Sequence, residues 1–261
     1  MITVLGAGGF IGSHIVKLLQ RNNTAYYAPS RNEMLKQENL GDIIYCIGLT
    51  ADFRSKPFET VEAHVCKLNG ILSHCSFSSL TYLSSTRVYI NSASGMAAET
   101  DKIMVDPMNA EDLYTLTKLT GERLCLSSGK NTKIARMSNV VGKSDVPANF
   151  LSQVINDIQQ KGEVELHQTL SSAKDYIFID DAVELLINIA LYGKEKIYNV
   201  ASGINTTNVE IVENLQKYFS FNVEVNAKAR EVIFPLIIND KICSEFRYTP
   251  KKIPEQLKMI I

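Results

Sequence analysis

The sequence predicts an α/β fold: a doubly wound parallel sheet with a small, interwoven C-terminal lobe. Short runs rich in β-branched residues alternate with segments of helical period, which is typical of βα units that build a parallel sheet. A turn with several glycines follows the first of these runs and precedes an amphipathic segment. The length of 261 residues is sufficient for one sizeable core and for one or two domains.

Six runs have the character of strands that are covered on both faces, since they are short and several are continuously apolar. These predicted strands are Ile2–Leu5, Ala25–Ala28, Ile43–Ile47, Thr81–Ser84, Lys133–Met137 and Ile197–Val200. We expect residues 1–141 to form the main domain, completed by a strand near 197–201, and residues 142–261 to form the smaller lobe. No Gly/Ser linker separates the two segments, which is why the lobe is predicted to be interwoven.

The helices are predicted from apolar spacing and from capping residues. Ile11, Ile15 and Leu18 recur at helical spacing after the glycine turn and form an apolar stripe that should pack on the sheet. Asp181 is placed to cap a later helix. Thr207 and Glu210 have the spacing of a capping box.

Composition excludes several classes of protein. With 27 Lys and Arg against 28 Asp and Glu, the net charge of −1 argues against a broad nucleic-acid surface. The five cysteines are far apart and have no histidines at zinc-site spacing, so we expect reduced thiols and no metal site. The start of the chain lacks the pattern of a signal peptide, and no apolar stretch is long enough for a membrane span. We therefore expect a cytoplasmic protein without membrane partners.

The glycine turn predicts a dinucleotide site of the Rossmann type. Gly6, Gly9 and Gly12 lie directly between a strand and a helix. Glycines there permit a tight turn and a close approach to a pyrophosphate, and the helix N-terminus offers N–H groups to the phosphate. At the end of the second strand, Ser30 and Arg31 precede any acidic residue, which favours NADP over NAD, although Glu33 follows shortly after.

The second constellation is Tyr114 and Lys118, which share one face of a predicted helix from Asp112 to Cys125. A phenol used as an acid or base at neutral pH needs a neighbouring cation that stabilises the phenolate, and Lys118 is placed to supply it. Ser85 lies at the predicted carboxyl edge of the sheet, where ligands of such sheets bind. Its hydroxyl is predicted to position a carbonyl while Tyr114 moves the proton.

Together these motifs resemble the extended short-chain dehydrogenases/reductases, and specifically the NAD-dependent epimerase/dehydratase family that acts on nucleotide sugars. The resemblance runs through GAGGFIG, DIIYCIG, TYLSSTRVY, YTLTKLTGE, ARMSNVVG, KDYIFIDDAVELL and YNVASG. It implies that Ser85, Tyr114 and Lys118 are catalytic. It also implies that the turns carrying Phe10, Ile11, Ile47 and Gly48 bind the cofactor together with Tyr114 and Lys118.

The same resemblance assigns a substrate side. Asn139 is similar to the residue that helps to hold the sugar nucleotide, and Asn149 and Phe150 resemble the segment whose backbone contacts it. Lys174 stands where many relatives have an arginine, and it can meet a diphosphate as a point charge. With Ser85 and Thr86 these residues form the predicted substrate site. A homodimer and a role in surface polysaccharide synthesis are implied by the resemblance alone.

One departure from the family narrows the predicted chemistry. Family dehydratases have an Asp-Glu pair after the active-site hydroxyl residue, whereas this chain has Thr86 and Arg87 there, so dehydration has no assigned acid and base. The sequence therefore predicts an NADPH-dependent reductase of a 4-keto nucleotide sugar. An NAD-dependent 4-epimerase and a non-catalytic dinucleotide-binding regulatory protein stay open as alternatives.

Overall fold

The computed structural model describes residues 1–31, 33, 35, 39–50, 52–143 and 150–261. Its strands in chain order are β1 Ile2–Leu5, β2 Tyr26–Tyr27, β3 Asp42–Tyr45, β4 Ser79–Ser85, β5 Met96–Ala97, β6 Thr132–Met137, β7 Asn139–Val141, β8 Glu163–Gln168, β9 Ala173–Phe178, β10 Ile197–Val200, β11 Asn205–Thr207, β12 Asn222–Arg230 and β13 Leu236–Ile237.

The α-helices in the same residues are α1 Phe10–Arg21, α2 Pro57–Val61, α3 Lys67–His74, α4 Asp112–Ser127, α5 Phe150–Lys161, α6 Ile179–Tyr192, α7 Asn208–Leu215, α8 Asp240–Phe246 and α9 Ile253–Gln256. A π-helical turn, Glu62–Cys66, joins α2 to α3, and 3-10 turns span Thr86–Tyr89 and Leu257–Met259.

The main sheet has six strands in the order β10-β6-β4-β3-β1-β2, and every pairing within it is parallel. All six predicted strands are in this sheet: two have the predicted bounds, and the other four have ends shifted by one or two residues. The chain runs from β1 outward to β2 and then crosses to β3 on the other side of β1. This reversal leaves a crevice at the carboxyl ends of β1 and β3, which is where ligands bind in doubly wound folds.

Helices cover both faces of the main sheet, and each face has its own apolar core. One core joins α1 and α6 to the sheet through Ile15, Ile44 and Leu186. The other joins α3 and α4 to the opposite face through Leu68, Tyr82 and Cys125. The predicted doubly wound α/β fold is therefore confirmed.

The remaining seven strands form three smaller sheets. All of them lie after residue 138 except β5, which pairs with β13. The sheets have the orders β11-β9-β7, β12-β8 and β13-β5. The predicted capping box at Thr207 is confirmed, since Thr207 and Glu210 exchange hydrogen bonds at the start of α7. The predicted cap at Asp181 is wrong, because α6 begins at Ile179 after the extended residue Phe178, and Asp181 lies inside the first turn.

The five cysteines are free thiols. Among the described residues, none of the helices combines the length and the apolar character that crossing a membrane requires.

Candidate active site

A cavity of about 770 Å³ opens at the carboxyl edge of the main sheet, and we call it the site cavity. Most of the predicted site residues line it: Gly9, Phe10, Ile11, Gly12, Ile47, Gly48, Ser85, Thr86, Tyr114, Lys118, Asn139 and Lys174. Gly6, Ser30, Arg31 and Phe150 are described but are not among its lining residues. Asn149 lies outside the described residues.

The glycine turn is packed too tightly for side chains at two of its three motif positions. A Cβ on Gly12 would lie 2.3 Å from the Gly6 carbonyl oxygen, and Gly6 itself has a φ of +86°. A Cβ on Gly6 would lie 2.9 Å from the Cys46 carbonyl carbon, so the turns after β1 and β3 touch at the crevice.

The N-terminus of α1 fits the phosphates of a dinucleotide. Its N-cap, Gly9, offers no side chain, and the first turn contains no acidic residue that would repel phosphate. The N–H groups and the positive end of the helix dipole are therefore directed at the cavity without a competing carboxylate.

An acidic side chain, Glu33, lies beside the end of β2, although it is six residues further along the chain than Tyr27. The Glu33 carboxylate accepts hydrogen bonds from the Tyr27 hydroxyl at 2.6 Å and from the Ser30 amide at 3.0 Å. The hydrogen bond to this carboxylate is the main cause that raises the pKa of Tyr27, followed by burial and the charge of Glu33. A carboxylate at this position suits a free ribose hydroxyl and repels a 2′-phosphate.

Tyr114 is buried on α4, with only 4% of its surface exposed. Burial raises the pKa of its phenol, while the hydroxyls of Ser85 and Thr50 and then the charge of Arg87 lower it. Ser85 is the last residue of β4, so the structure brings the predicted pair of hydroxyls together at the sheet edge. The Ser85 Oγ also accepts the Arg87 amide at 3.1 Å, which leaves the Ser85 O–H group to donate.

Lys118 lies one turn further along α4 and is also buried. Its ammonium donates to the Leu83 carbonyl at 2.8 Å and is 5.7 Å from the centroid of the Tyr114 ring. Burial lowers the pKa of Lys118 to about 7, and Glu122 and Cys46 oppose that shift. The cation predicted to serve Tyr114 is therefore itself close to losing its charge at neutral pH.

His64 is a fully buried residue packed against Tyr114, and the sequence analysis did not identify it. It lies in the π-helical turn, and its Nε2 accepts the Leu49 amide at 3.2 Å, so Nδ1 carries the proton and donates to the Thr117 hydroxyl at 2.9 Å. Thr117 in turn donates to the Tyr114 carbonyl at 2.9 Å. Burial, followed by the charge of Lys118, lowers the pKa of His64 to about 2, which keeps the ring neutral.

His64 packs against two of the predicted site residues, Tyr114 and Gly48. Its ring packs edge-on against Tyr114 at 5.4 Å, and a Cβ on Gly48 would be 3.2 Å from its Nε2. π-Helical turns often occur at functional sites, but the extra residue leaves no sequence pattern that identifies one. A lone histidine in an apolar helical segment was the one signal available.

The predicted substrate side is assembled only in part. Asn139 Nδ2 donates to the Asp175 carbonyl at 2.9 Å, and the Thr86 hydroxyl donates to the Met137 carbonyl at 3.3 Å. Lys174 is directed at the cavity with its ammonium 5.2 Å from the centroid of the Phe150 ring. Burial, and secondarily Arg87, lowers the pKa of Lys174 to about 8.

The glycine turn at the switch point, with Ser85, Tyr114 and Lys118 at the adjoining edge, defines a dinucleotide-binding fold of the short-chain dehydrogenase/reductase type. The sequence profile of the NAD dependent epimerase/dehydratase family matches residues 32–201. The chain belongs to that family, as the motifs predicted. The matched segment contains the Ser85, Tyr114 and Lys118 positions.

Similar proteins differ in their activities and cofactors. The chain is 24% identical over 120 residues to a dTDP-D-glucose 4,6-dehydratase from Dictyostelium discoideum, and this match spans 44% of the chain but only 27% of that protein. The solved structure of RMD from Pseudomonas aeruginosa, complexed with NADPH, has 18% identity and a TM-score of 0.79, with 99% of this chain and 97% of that chain covered. The UDP-glucuronic acid 4-epimerase from Bacillus cereus, solved with UDP-glucuronic acid and NAD, has 19% identity and a TM-score of 0.77, with 99% and 96% covered.

Proposed function

We propose that this protein is an NAD-dependent enzyme that inverts one carbon of a nucleoside-diphosphate sugar, as a 4-epimerase does. The observation that carries the proposal is the placement of Ser85, Tyr114 and Lys118 in the same cavity as the glycine turn. The 4-epimerase named among the similar structures supports the substrate class, since it was solved with a UDP-sugar and NAD.

The roles follow from the contacts at the cavity edge. Tyr114 takes the proton from the sugar hydroxyl when that carbon is oxidised, and returns it when the carbon is reduced from the other face. Bound NAD would accept the hydride from the sugar carbon and return it. Ser85 donates a hydrogen bond to the sugar oxygen, and Lys118 contributes positive charge near the phenol when it is protonated.

Glu33 is the reason that the proposal favours NAD over the NADP that the sequence suggested. Its carboxylate lies against Ser30 at the end of β2, where a 2′-phosphate would bring two negative charges together. Since an epimerase oxidises and then reduces the same carbon, it has no net need for an exchanged, phosphorylated cofactor.

A reductase of a 4-keto nucleotide sugar is the second candidate. Arg31 follows Ser30 in the same turn and is exposed, so it is accessible to a 2′-phosphate. The NADPH-bound RMD structure shows that this fold accommodates the phosphorylated cofactor. The homodimer, the cytoplasmic location and the division at residue 142 into a core and a substrate lobe remain predictions.

Dehydration of the sugar is not favoured, although a dehydratase is among the similar proteins. The Thr86 hydroxyl is engaged with the Met137 carbonyl, and Arg87 is a cation rather than a proton acceptor. The nearby Glu111 is held by Arg54 and Arg87, and the hydrogen bond from Arg54 is the main reason that its pKa is lowered. A carboxylate with a lowered pKa is a poor acid or base at neutral pH.

The test begins with cofactor binding. We expect NAD to bind at least about tenfold more tightly than NADP, the Glu33→Gln variant to narrow that ratio, and Arg31→Ala to leave NAD binding unchanged. Tight NADPH binding that is lost in Arg31→Ala would overturn the epimerase in favour of the reductase. Binding of neither dinucleotide would exclude both.

Turnover is then measured by NMR with UDP-sugars and catalytic amounts of NAD. An epimerase yields the C4 epimer without net consumption of cofactor, whereas a reductase consumes reduced cofactor in proportion to product. Tyr114→Phe is expected to lower the rate by about 10²- to 10⁴-fold. Tyr192→Phe is the matched control, because Tyr192 is 66% exposed on α6.

A further inference from the structure

Arg87 is a cavity residue to which neither the motifs nor the proposed mechanism assigns a role. It lies two residues after Ser85 in the 3-10 turn, and it lines the site cavity with Ser85 and Tyr114. Arg87 and Tyr114 both approach the buried ring of Phe53: the Arg87 Cζ is 5.6 Å from the Phe53 centroid, and the Tyr114 centroid is 5.4 Å from it. The guanidinium is thus at the end of the cavity where the reaction takes place.

The positive charge of Arg87 is only partly compensated. Its Nη2 donates to Glu111 Oε2 at 2.9 Å, but both oxygens of Glu111 also accept hydrogen bonds from Arg54. Two guanidinium groups share one carboxylate, so the trio has a net charge of +1. Among the described residues, the buried Arg87 Nε has no hydrogen-bond partner. Glu111 pairs with Nη2, and because Arg87 lines the cavity its guanidinium can also meet a ligand acceptor there.

A second cation faces the same cavity. Lys174 forms no ion pair with any residue that the structure describes, and its polar end approaches the Phe150 ring. Burial and then the charge of Arg87 lower the pKa of Lys174, so the two cations repel each other across the cavity. A ligand with an anionic group for each cation would relieve that repulsion.

The two cations are on different elements. Lys174 is on β9, on the side of the cavity that the resemblance assigns to the diphosphate, while Arg87 follows β4 beside the catalytic hydroxyls. A diphosphate at Lys174 leaves Arg87 facing the sugar. A neutral hexose would offer only hydroxyl groups to the Arg87 guanidinium, whose positive charge Glu111 compensates only in part.

We propose that Arg87 is a specificity-determining residue that binds a carboxylate on the sugar ring, so that the substrate is a nucleoside-diphosphate hexuronate. The planar guanidinium matches a carboxylate in geometry and charge. This inference rests on the proposed function, because it requires the sugar to lie at Tyr114 and Ser85. Glu111 keeps Arg87 oriented, and Arg54 keeps Glu111 from cancelling the charge that the substrate meets.

The test compares ligand pairs that differ only in the carboxylate. Binding to the NAD-loaded protein is measured for UDP-glucuronate against UDP-glucose and for GDP-mannuronate against GDP-mannose. We expect the acidic member of at least one pair to bind more tightly, and Arg87→Met to weaken that member by about 10- to 100-fold. The neutral member should change by less than about twofold. Arg87→Lys keeps the positive charge but loses the paired N–H donors of the guanidinium, so it should bind the acidic member more tightly than Arg87→Met does.

Arg123→Met is the matched control, because Arg123 is exposed on the same helix as Tyr114. Unchanged NAD affinity of Arg87→Met establishes that the variant is folded. If Arg87→Met weakens binding of both members of a pair equally, Arg87 contacts the diphosphate and the proposal is overturned. If the wild type binds the neutral members more tightly, the proposal is also overturned. In both cases the proposed function stands. If NAD binds but no member of any pair does, both proposals fail.

Discussion

The ammonium of Lys118 is 5.7 Å from the centroid of the Tyr114 ring, and its hydrogen bond goes to the Leu83 carbonyl rather than to the phenol. Lys118 is therefore placed to influence Tyr114 through space rather than through a hydrogen bond, and only while the amine is protonated. Burial lowers the pKa of that amine to about 7, so this influence is lost within the physiological range.

The first prediction concerns the pH dependence of turnover. Since the charged amine is the form that stabilises the phenolate, kcat/KM should fall as the pH rises through about 7. A Lys118→Arg variant has a charge that persists to high pH, so its kcat/KM should not show this fall near pH 7. The profiles are compared between about pH 6 and about pH 9 with the nucleotide sugar that the protein converts. If kcat/KM falls at the same pH in the wild type and in the variant, a group other than Lys118 causes the fall.

The second prediction concerns stability. A lysine whose pKa is lowered on folding binds fewer protons in the folded than in the unfolded state between that pKa and its ordinary value. Its burial therefore destabilises the fold most at low pH, and the penalty shrinks as the pH rises above about 7. Lys118→Met should raise the melting temperature, and by more at about pH 6 than at about pH 9. An increase of equal size at both pH values would contradict the lowered pKa.

The parts of this site that could be predicted are those encoded by local spacing. Gly6, Gly9 and Gly12 stand between a strand and a helix, and Tyr114 and Lys118 are one helical turn apart, so both arrangements follow from the period of the backbone. The six strands of the main sheet were found for the same reason, because β-branched runs alternate with helical segments.

The features that could not be predicted depend on contacts between distant or irregular segments. The contact between Glu33 and Ser30 lies outside any helix or strand, so no periodic pattern in the sequence predicts it. Asp181 looked like a cap because three helical turns follow it, yet α6 starts two residues earlier and Asp181 pairs with Lys251 instead. His64, which contacts Leu49 and Thr117, lies in a π-helical turn, and such a turn departs from the regular helical period that a sequence pattern reveals.

The third prediction separates two neighbouring glycines. A Cβ on Gly12 would meet the Gly6 carbonyl oxygen at 2.3 Å, whereas a Cβ on Gly8 would have no atom within 4 Å. Gly12→Ala should therefore cost about 1–3 kcal/mol of stability and weaken NAD binding by at least about tenfold, because the turn must shift. Gly8→Ala should retain both properties. Thermal unfolding and NAD titration of the two variants check this, and equal behaviour would show that the turn adapts to a methyl group.

The fourth prediction concerns a buried ion pair beneath the site. Arg136 Nη2 is 2.7 Å from Glu122 Oε2 and both side chains are 5% exposed, while Ser84 Oγ donates to Glu122 Oε1 at 2.6 Å. Arg136→Met leaves the carboxylate buried without its counter-ion, so the free energy of unfolding should fall by about 3–5 kcal/mol. Lys161→Met removes the pair with Asp157, in which the lysine is 60% exposed, and should cost less than about 1 kcal/mol.

The double variant Glu122→Gln with Arg136→Met distinguishes a charge effect from a packing effect at this pair. Removing both charges ends the penalty of an uncompensated ion, so the double variant should be more stable than Arg136→Met alone. Chemical denaturation of the single and double variants, compared with the wild type, gives the coupling between the two side chains. If the losses of the two single variants simply add, the arginine contributes through its packing against the Tyr89 ring, 5.1 Å from its Cζ, rather than through its charge.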